Sequence, residues 1–193
     1  MMIIHLLQCG QTEWRAAGRM QGRLSLPLSP AGVGEAESLA AQMAEVKLDA
    51  IYSAQCEACR QTAAAVAART GQPKVRRVEA LAELDVGLWQ GMLAKEIKRR
   101  QPKVYRQWQE EPERVTPPEG ENLSHAYQRI VGAVTEVLRR HEASDALAVV
   151  VAPMAAAMLR CHLAHQPLTE VWKAMRPEAG SPERFSVAPA EKQ

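Results

Sequence analysis

The sequence predicts an α/β fold, a three-layer αβα sandwich built around a mostly parallel central sheet. Strand-like and helix-like segments alternate along the chain, which is typical of a layered α/β domain. Residues 146–151 form an uninterrupted apolar run, as a strand buried on both faces of such a sheet requires. The chain has 193 residues, 47% of them hydrophobic, which is enough for one sizeable core.

The first half of the chain begins with a buried strand at residues 2–7. Ser29 followed by Pro30 is an N-cap with proline at the first helical position, so we predict a helix from there to about Val46. The other elements predicted in this half are a strand at 48–53, an alanine-rich helix at 57–69 and a short strand at 74–78.

In the second half, Pro102 separates two short helices, and Trp108 gives the second one an apolar anchor. The clearest helix of the chain covers residues 123–141, because apolar residues recur there every three or four positions. A strand at 146–151, a helix at 155–165 and a strand at 183–188 follow, and residues 116–120 form a loop. We therefore predict a single domain over residues 1–188 and a flexible tail over residues 189–193.

Composition argues against several classes of partner. The net charge of +2, without basic clusters interleaved with aromatic residues, predicts no nucleic-acid partner. Trp14, Trp89, Trp108 and Trp172 are far apart in the sequence, so we predict separate packing anchors and not a stacking platform. No apolar run has the length of a membrane span, so no membrane partner is predicted. Four cysteines without a secretion signal predict a reducing, cytoplasmic location.

A set of short motifs occurs in a fixed order along most of the chain. They are QCGQTEW at 8–14, GRMQG at 18–22, PLSPAG at 27–32, DAIYS at 49–53, RQTA at 60–63, ELDVGLWQG at 83–91, GENL at 120–123 and AVVV at 148–151. In this order and spacing the chain resembles the histidine phosphatase superfamily, with its phosphoglycerate mutase-like fold, from residue 2 to about residue 188. The resemblance implies descent from a phosphomonoesterase or phosphoglycerate mutase.

Catalysis in that family, as the resemblance implies, needs five groups. One histidine attacks phosphorus, a second histidine and two arginines surround the phosphoryl group, and a carboxylic acid serves the leaving group. The transferring phosphoryl group is anionic throughout, so catalysis consists largely of positioning and cationic stabilisation.

Matched residue by residue, this chain keeps one of the five groups. The resemblance places Gln8 at the first arginine and Cys9 at the nucleophilic histidine. It places Ala58 at the second arginine and Pro153 at the second histidine, so only the acid remains, as Glu83. Because such groups act as a unit, we predict a catalytically inactive protein, a pseudoenzyme with no intact catalytic set.

A pseudoenzyme of this kind would act by binding. The pocket should lie beyond the carboxyl ends of the strands, as in other folds of this class. We predict either a protein partner, which includes a second copy of the chain in a homodimer, or a small non-phosphate ligand. No cofactor and no metal ion is predicted. The residues predicted to contact the ligand are Gly10, Gln11, Thr12, Arg15, Glu83 and Met154.

The alternative is that the chain is still an enzyme, either a residual phosphatase or a thiol- or metal-dependent enzyme centred on Cys9. Cys9 and Arg15 have the Cys-x5-Arg spacing of cysteine phosphatases, in which a thiolate attacks and the arginine binds phosphate. Glu13 lies inside that loop and would repel the substrate. A buried, inert cysteine or a thiol in the pocket wall is therefore the better interpretation.

Cys56 and Cys59 form a Cys-x-x-Cys pair at the predicted start of a helix. Such a pair is typical of redox sites, because a helix N-terminus stabilises a thiolate. Together with Cys9 and Met154 the two could also form a soft-metal site. The simpler interpretation is that both cysteines are small hydrophobic residues in the core.

Overall fold

Five strands form one sheet in the computed structural model, which describes residues 1–71, 74–176 and 179–188. The strands are β1 (Met2–Gln8), β2 (Ala50–Ser53), β3 (Val75–Arg77), β4 (Ala146–Val151) and β5 (Glu183–Val187). Their order across the sheet is β3-β2-β4-β1-β5. The predicted α/β class with a mostly parallel sheet is confirmed.

The sheet is parallel except at one edge. β4 pairs in parallel with β1 and β2, β2 pairs in parallel with β3, and β5 runs antiparallel to β1. Gln8, the last residue of β1, lies opposite Val151, the last residue of β4. The loops that follow these two central strands therefore start side by side at the same edge of the sheet.

Helices of different lengths connect the strands. They are α1 (Glu13–Ala16), α2 (Pro30–Met43), α3 (Glu57–Thr70), α4 (Ala94–Arg100), α5 (Pro102–Glu110), α6 (Leu123–Leu138), α7 (Pro153–Leu163) and α8 (Val171–Ala174). The chain moves from β1 to β2 and β3 in one direction across the sheet and returns to β4 in the other. Right-handed crossovers then place α2 and α3 on one face of the sheet and α6 and α7 on the other, as a three-layer sandwich requires.

Local sequence explains where the long helices begin. Ser29 caps α2, because its hydroxyl accepts a hydrogen bond from the Gly32 amide at 3.1 Å and proline follows it. Asn122 caps α6 in the same way through the Ser124 amide, at 2.9 Å. The apolar stripe of α6 is buried, as its periodicity predicts.

The predicted boundaries differ from the observed ones by a few residues. α7 begins at Pro153, two residues before the predicted start, because proline is well accommodated in the first turn of a helix. α2 ends at Met43 and α6 at Leu138, each three residues early. The single domain stays a prediction, and the predicted tail at 189–193 lies outside the described residues. Within the described ranges, no helix combines the length and the apolar character needed to cross a membrane.

Candidate functional site

A cavity of about 270 Å³ opens at the carboxyl ends of β1, β2 and β4. Cys9 follows β1, Cys56 and Ala58 follow β2, and Pro153 follows β4, and all four line this cavity. Apolar side chains make up most of its wall. The sheet topology thus brings together residues that are far apart in the sequence.

Cys9 lies at the base of this cavity and is 2% exposed. Its amide donates a hydrogen bond to the Val151 carbonyl, so β4 fixes its position. The guanidinium of Arg15 lies over it: Nη1 is 3.9 Å from the Cys9 sulfur and donates to the carbonyls of Cys9 at 3.3 Å and Gly10 at 3.1 Å. A cation therefore covers the thiol.

Thr12 holds Arg15 in this place. Thr12 caps the short helix α1, where its hydroxyl oxygen accepts from the Arg15 amide at 3.3 Å. The same hydroxyl donates to the side-chain oxygen of Gln21 at 2.5 Å. Thr12 and Arg15 both line the cavity, as predicted ligand contacts should, and the Thr12 hydroxyl is already used by the protein.

Gly10 and Gln11 hold the loop to neighbouring helices. The Gly10 amide donates to the Thr62 hydroxyl at 3.1 Å, and a Cβ on Gly10 would lie 2.3 Å from the Gly32 oxygen. The Gln11 amide donates to the Glu35 carboxylate at 2.8 Å. These contacts are structural, so the two residues contribute to the shape of the loop that carries Cys9.

Gln8 is turned toward a polar network beside the sheet. Its side-chain oxygen accepts from the Arg160 guanidinium at 3.2 Å, and its amide nitrogen donates to the Arg176 carbonyl at 3.1 Å. Arg160 and Arg176 both pair with Glu183 of β5, at 2.7 and 3.1 Å. Gln8 is 1% exposed and links the end of β1 to that ion-pair network.

Glu83 caps α7 from inside the cavity. Its carboxylate accepts hydrogen bonds from the amides of Met154 at 2.8 Å, Ala155 at 3.0 Å and Leu84 at 2.8 Å. Burial raises the pKa of Glu83, opposed in part by these three amides and by the nearby Arg15. The N-terminus of a helix attracts anions, and here a side chain of the same protein satisfies it.

Ala58 and Pro153 supply wall surface and no charge. Ala58 is 1% exposed, and its amide donates to the Leu26 carbonyl at 3.0 Å. Pro153 is the first residue of α7, and the neighbouring Met154 lines the cavity with 8% of its surface exposed. Around one cavity the structure therefore unites the predicted positions Cys9, Ala58 and Pro153 with Glu83, and also with Thr12, Arg15 and Met154.

An aromatic wall that the sequence analysis missed closes one side of the cavity. The ring centroids of Trp108 and Trp172 are 4.6 Å apart, and both side chains line the cavity, as does Tyr105. Trp89 packs against Trp108, with 5.1 Å between the ring centroids. Trp89 and Trp108 are buried in the core, as expected of packing anchors, but together with Trp172 they form one cluster. No local signal could have revealed it, because Trp108 and Trp172 are 64 residues apart.

Three cysteines lie at or near the edge of the cavity: Cys9 and Cys56 line it, and Cys59 is buried. The pKa of Cys56 is lowered, mainly by the neighbouring Cys59 and against the effects of burial and Glu83. The pKa of Cys59 is raised by the same two neighbouring thiols and by its burial. In the part of the chain that the structure describes, no group of three or more His, Cys, Asp or Glu side chains could hold a metal ion.

The sequence is similar to one protein family and to several of its characterised members. Residues 4–183 match the model of one family, described as the histidine phosphatase superfamily (branch 1). Phosphoserine phosphatase 1 of Hydrogenobacter thermophilus is 35% identical over 141 residues, which are 73% of this chain and 66% of that protein. The metal-independent phosphoserine phosphatase of Arabidopsis thaliana is 28% identical over 76% of this chain and 62% of that protein. The chain thus spans three fifths to two thirds of the length of these curated relatives.

Solved structures give the same result. Bacillus stearothermophilus YhfR superposes with a TM-score of 0.89 at 26% identity, over 98% of this chain and 93% of that one. The VO3 complex of mycobacterial glucosyl-3-phosphoglycerate phosphatase superposes with a TM-score of 0.80 at 26% identity, over 88% and 85% of the two chains.

Proposed function

The chain belongs to the histidine phosphatase superfamily, and we propose that it is a catalytically inactive member whose cavity binds a small, largely apolar ligand without a phosphate group. The observation that carries this proposal is the set of side chains that line the cavity. A buried cysteine and a proline stand where the family resemblance places histidines, and Glu83 takes the amides at the start of α7.

The cavity offers no group suited to the family's nucleophilic step. Transfer of a phosphoryl group to histidine needs an imidazole nitrogen at the reacting phosphorus. Among the described residues that line the cavity there is no histidine. Pro153 has no nucleophilic atom, and the Cys9 sulfur lies beneath the Arg15 guanidinium. These features support the proposal that the chain cannot transfer a phosphoryl group to a histidine.

The cavity also offers few free donors to an oxyanion. The successive amides of Cys9, Gly10 and Gln11 all donate to acceptors within the protein. The amides at the start of α7 donate to Glu83. A phosphomonoester would have to displace the Glu83 carboxylate or bind beside it, and both are unfavourable for an anion.

The walls favour an aromatic ligand. The aromatic side chains of Tyr105, Trp108 and Trp172 line the cavity, and Met20 and Val86 add aliphatic surface. A volume of about 270 Å³ is slightly below the common range for ligand pockets, about 300–1,000 Å³, so one or two fused rings would fill it. A single polar substituent could reach Arg15 or Glu83.

A protein partner has weaker support. Apart from Met1, the exposed large apolar side chains among the described residues are Leu88, Val33 and Val104. They lie on separate elements of the chain. Single apolar side chains on a surface are normal in monomeric proteins. A protein partner and a homodimer therefore stay predictions from the sequence, and the cavity is the better-supported binding site.

The second candidate function is an enzyme that uses Cys9. It is supported by the Arg15 guanidinium 3.9 Å from the Cys9 sulfur, because a guanidinium is suited to hold a phosphate beside the thiol. The names of the relatives, which are phosphoserine phosphatases, also favour a phosphatase. Against it, the amides that would have to cradle a phosphate are already bonded, as described above.

One pair of compounds separates the two functions. 2-Naphthol and 2-naphthyl phosphate share the same rings and differ only in the phosphate. We expect calorimetry to show tighter binding of 2-naphthol, and fluorescence to show no release of naphthol from the ester. Cys9→Ser and Glu83→Ala test any hydrolysis that is seen, with Cys161→Ser as a buried-cysteine control away from the cavity. Hydrolysis that Cys9→Ser or Glu83→Ala abolishes, and Cys161→Ser does not, would refute the inactive-protein proposal.

A further inference from the structure

We propose that Cys56 and Cys59 form a thiol–disulfide exchange site that opens on the cavity and reacts with low-molecular-mass disulfides. This inference goes beyond the ligand-binding proposal, because it requires neither a phosphate site nor the aromatic wall. It stands on the placement of these two cysteines at the start of one helix and on their unequal accessibility.

The two cysteines are placed where a disulfide can form. Cys56 is the N-cap of α3 and has an extended backbone conformation, while Cys59 lies in the first turn of that helix. Residues three apart at a helix start share one face, with Cβ atoms about 5–6 Å apart. A disulfide needs Cβ atoms about 3.5–4.5 Å apart. Cys56 is the N-cap and its extended backbone lies outside the regular helix, so a small movement of this residue closes the difference.

Only one of the two thiols can be reached from outside. Cys56 is half-buried and lines both the main cavity and an adjoining cavity of about 620 Å³. Cys59 is 0% exposed and lines neither cavity. A disulfide from solution can therefore meet Cys56 first, and Cys59 can attack afterwards from the protein interior.

The electrostatic surroundings of the two thiols also favour reaction of Cys56 before Cys59. The Cys59 thiol favours the Cys56 thiolate and lowers the pKa of Cys56, and Arg15 acts in the same direction. The start of α3 adds the positive end of a helix dipole. Burial among the other two thiols keeps the pKa of Cys59 high, so it remains a thiol until Cys56 has reacted.

The reaction balances in two steps. The Cys56 thiolate attacks one sulfur of an incoming disulfide RSSR, so that a Cys56–SR bond forms and RS⁻ leaves. Cys59 then loses its proton and attacks the Cys56 sulfur, which releases the second RS⁻. Overall, two protein thiols are oxidised to one disulfide and RSSR is reduced to two RSH.

Cys9 is the competing partner, because it is the other cysteine whose proximity raises the pKa of Cys59. It is 2% exposed and lies under Arg15, so it is less accessible than Cys56 to a reagent from solution. The proposal therefore assigns the disulfide to Cys56 and Cys59, and a Cys9–Cys59 disulfide would contradict it.

The test uses the full chain and oxidised glutathione. After incubation, free thiols are alkylated and the peptides are mapped by mass spectrometry. We expect a Cys56–Cys59 disulfide in the unmodified protein. Cys59→Ser should stop at a glutathione mixed disulfide on Cys56, and Cys56→Ser should give neither product. Cys161→Ser is the matched control, because Cys161 is 1% exposed and lies on α7, and it should behave like the unmodified protein.

A second measurement needs no substitution at the site. In the reduced protein at pH 7, Cys56 should react with iodoacetamide at least about tenfold faster than Cys161, since it is more accessible and its pKa is lower. Equal rates, no glutathione adduct on Cys56, or a Cys9–Cys59 product would each overturn the proposal. Binding of 2-naphthol to the reduced protein is measured separately, so failure of one proposal is distinguishable from failure of the other.

Discussion

The guanidinium of Arg15 lies over the thiol of Cys9, with Nη1 3.9 Å from the sulfur and hydrogen-bonded to the Cys9 carbonyl at 3.3 Å. The cation sits on the residue that the family resemblance places at the nucleophile position, and it is held there by the carbonyls of Cys9 and Gly10. It shields the sulfur as well as supplying charge beside it.

Removal of this cover should expose the thiol. We expect Arg15→Ala to increase the rate at which iodoacetamide alkylates Cys9, measured for both proteins over the same range of alkaline pH. Arg19→Ala is the matched control, because Arg19 also lines the cavity and instead donates to the Gly91 carbonyl at 2.7 Å. An unchanged rate in Arg15→Ala would contradict the shielding role.

Glu83 should make stability depend on pH. Its pKa is raised above the ordinary value of 4.5 by burial, so the folded protein holds the proton more tightly than the unfolded chain. Its contribution to the free energy of unfolding therefore falls as pH rises from about 4.5 through the raised pKa. Denaturant titrations of the unmodified protein and Glu83→Gln between pH 4 and 8 check this. The difference in stability between the two should shift against the unmodified protein as pH rises; a constant difference would contradict the prediction.

Glu83 should also stabilise the start of α7. Glu83→Ala leaves the amides of Met154 and Ala155 without their acceptor, and loss of a helix cap costs about 0.5–2 kcal/mol. Glu83→Gln keeps one acceptor oxygen and should cost less at neutral pH. Thermal denaturation at pH 7 ranks the variants, and equal stability of Glu83→Ala and the unmodified protein would exclude the capping role.

Trp172 should contribute to ligand affinity. It is partly exposed and stacks edge-on with Trp108 in the cavity wall, so its removal disturbs the core less than removal of the buried Trp108. We expect Trp172→Ala to weaken 2-naphthol binding about three- to tenfold, since an aromatic contact contributes about 0.5–1.5 kcal/mol. Trp172→Phe should restore most of the affinity. Calorimetry that shows equal affinity for Trp172→Ala would place the ligand elsewhere.

Gln8 and Arg160 should be energetically coupled. Gln8→Arg would bury a second guanidinium where the Gln8 oxygen now accepts from Arg160 at 3.2 Å, and an uncompensated buried charge costs about 3–5 kcal/mol. Arg160→Gln alone should also destabilise, because it breaks the pair with Glu183. A double-mutant cycle measured by denaturant unfolding should show that the double variant loses less than the sum of the single losses. Additive losses would contradict the coupling.

Some of the fold and the site could be predicted from the sequence. β1 and β4 were predicted within one residue, because apolar runs in buried parallel strands are distinctive. Cys9, Ala58 and Glu83, which belong to three different motifs, line one cavity in the structure. The orientation of Gln8 could not be predicted, since its partner Arg160 is 152 residues away. The contact between Trp108 and Trp172 could not be predicted for the same reason, because side chains that are far apart in the sequence leave no local pattern when they pair.

The contact between Gln8 and Arg160 also bears on how this chain could change by mutation. A neutral amide at position 8 is compatible with a buried arginine at 160, whereas two arginines there are not. A change to the arginine that the family resemblance places at position 8 would therefore pass through a destabilised single mutant unless position 160 changed first. Position 160 is itself held by Glu183 and by the Ala174 carbonyl, at 2.7 and 2.9 Å. The packing around the end of β1 thus acts as an epistatic barrier to an arginine at position 8.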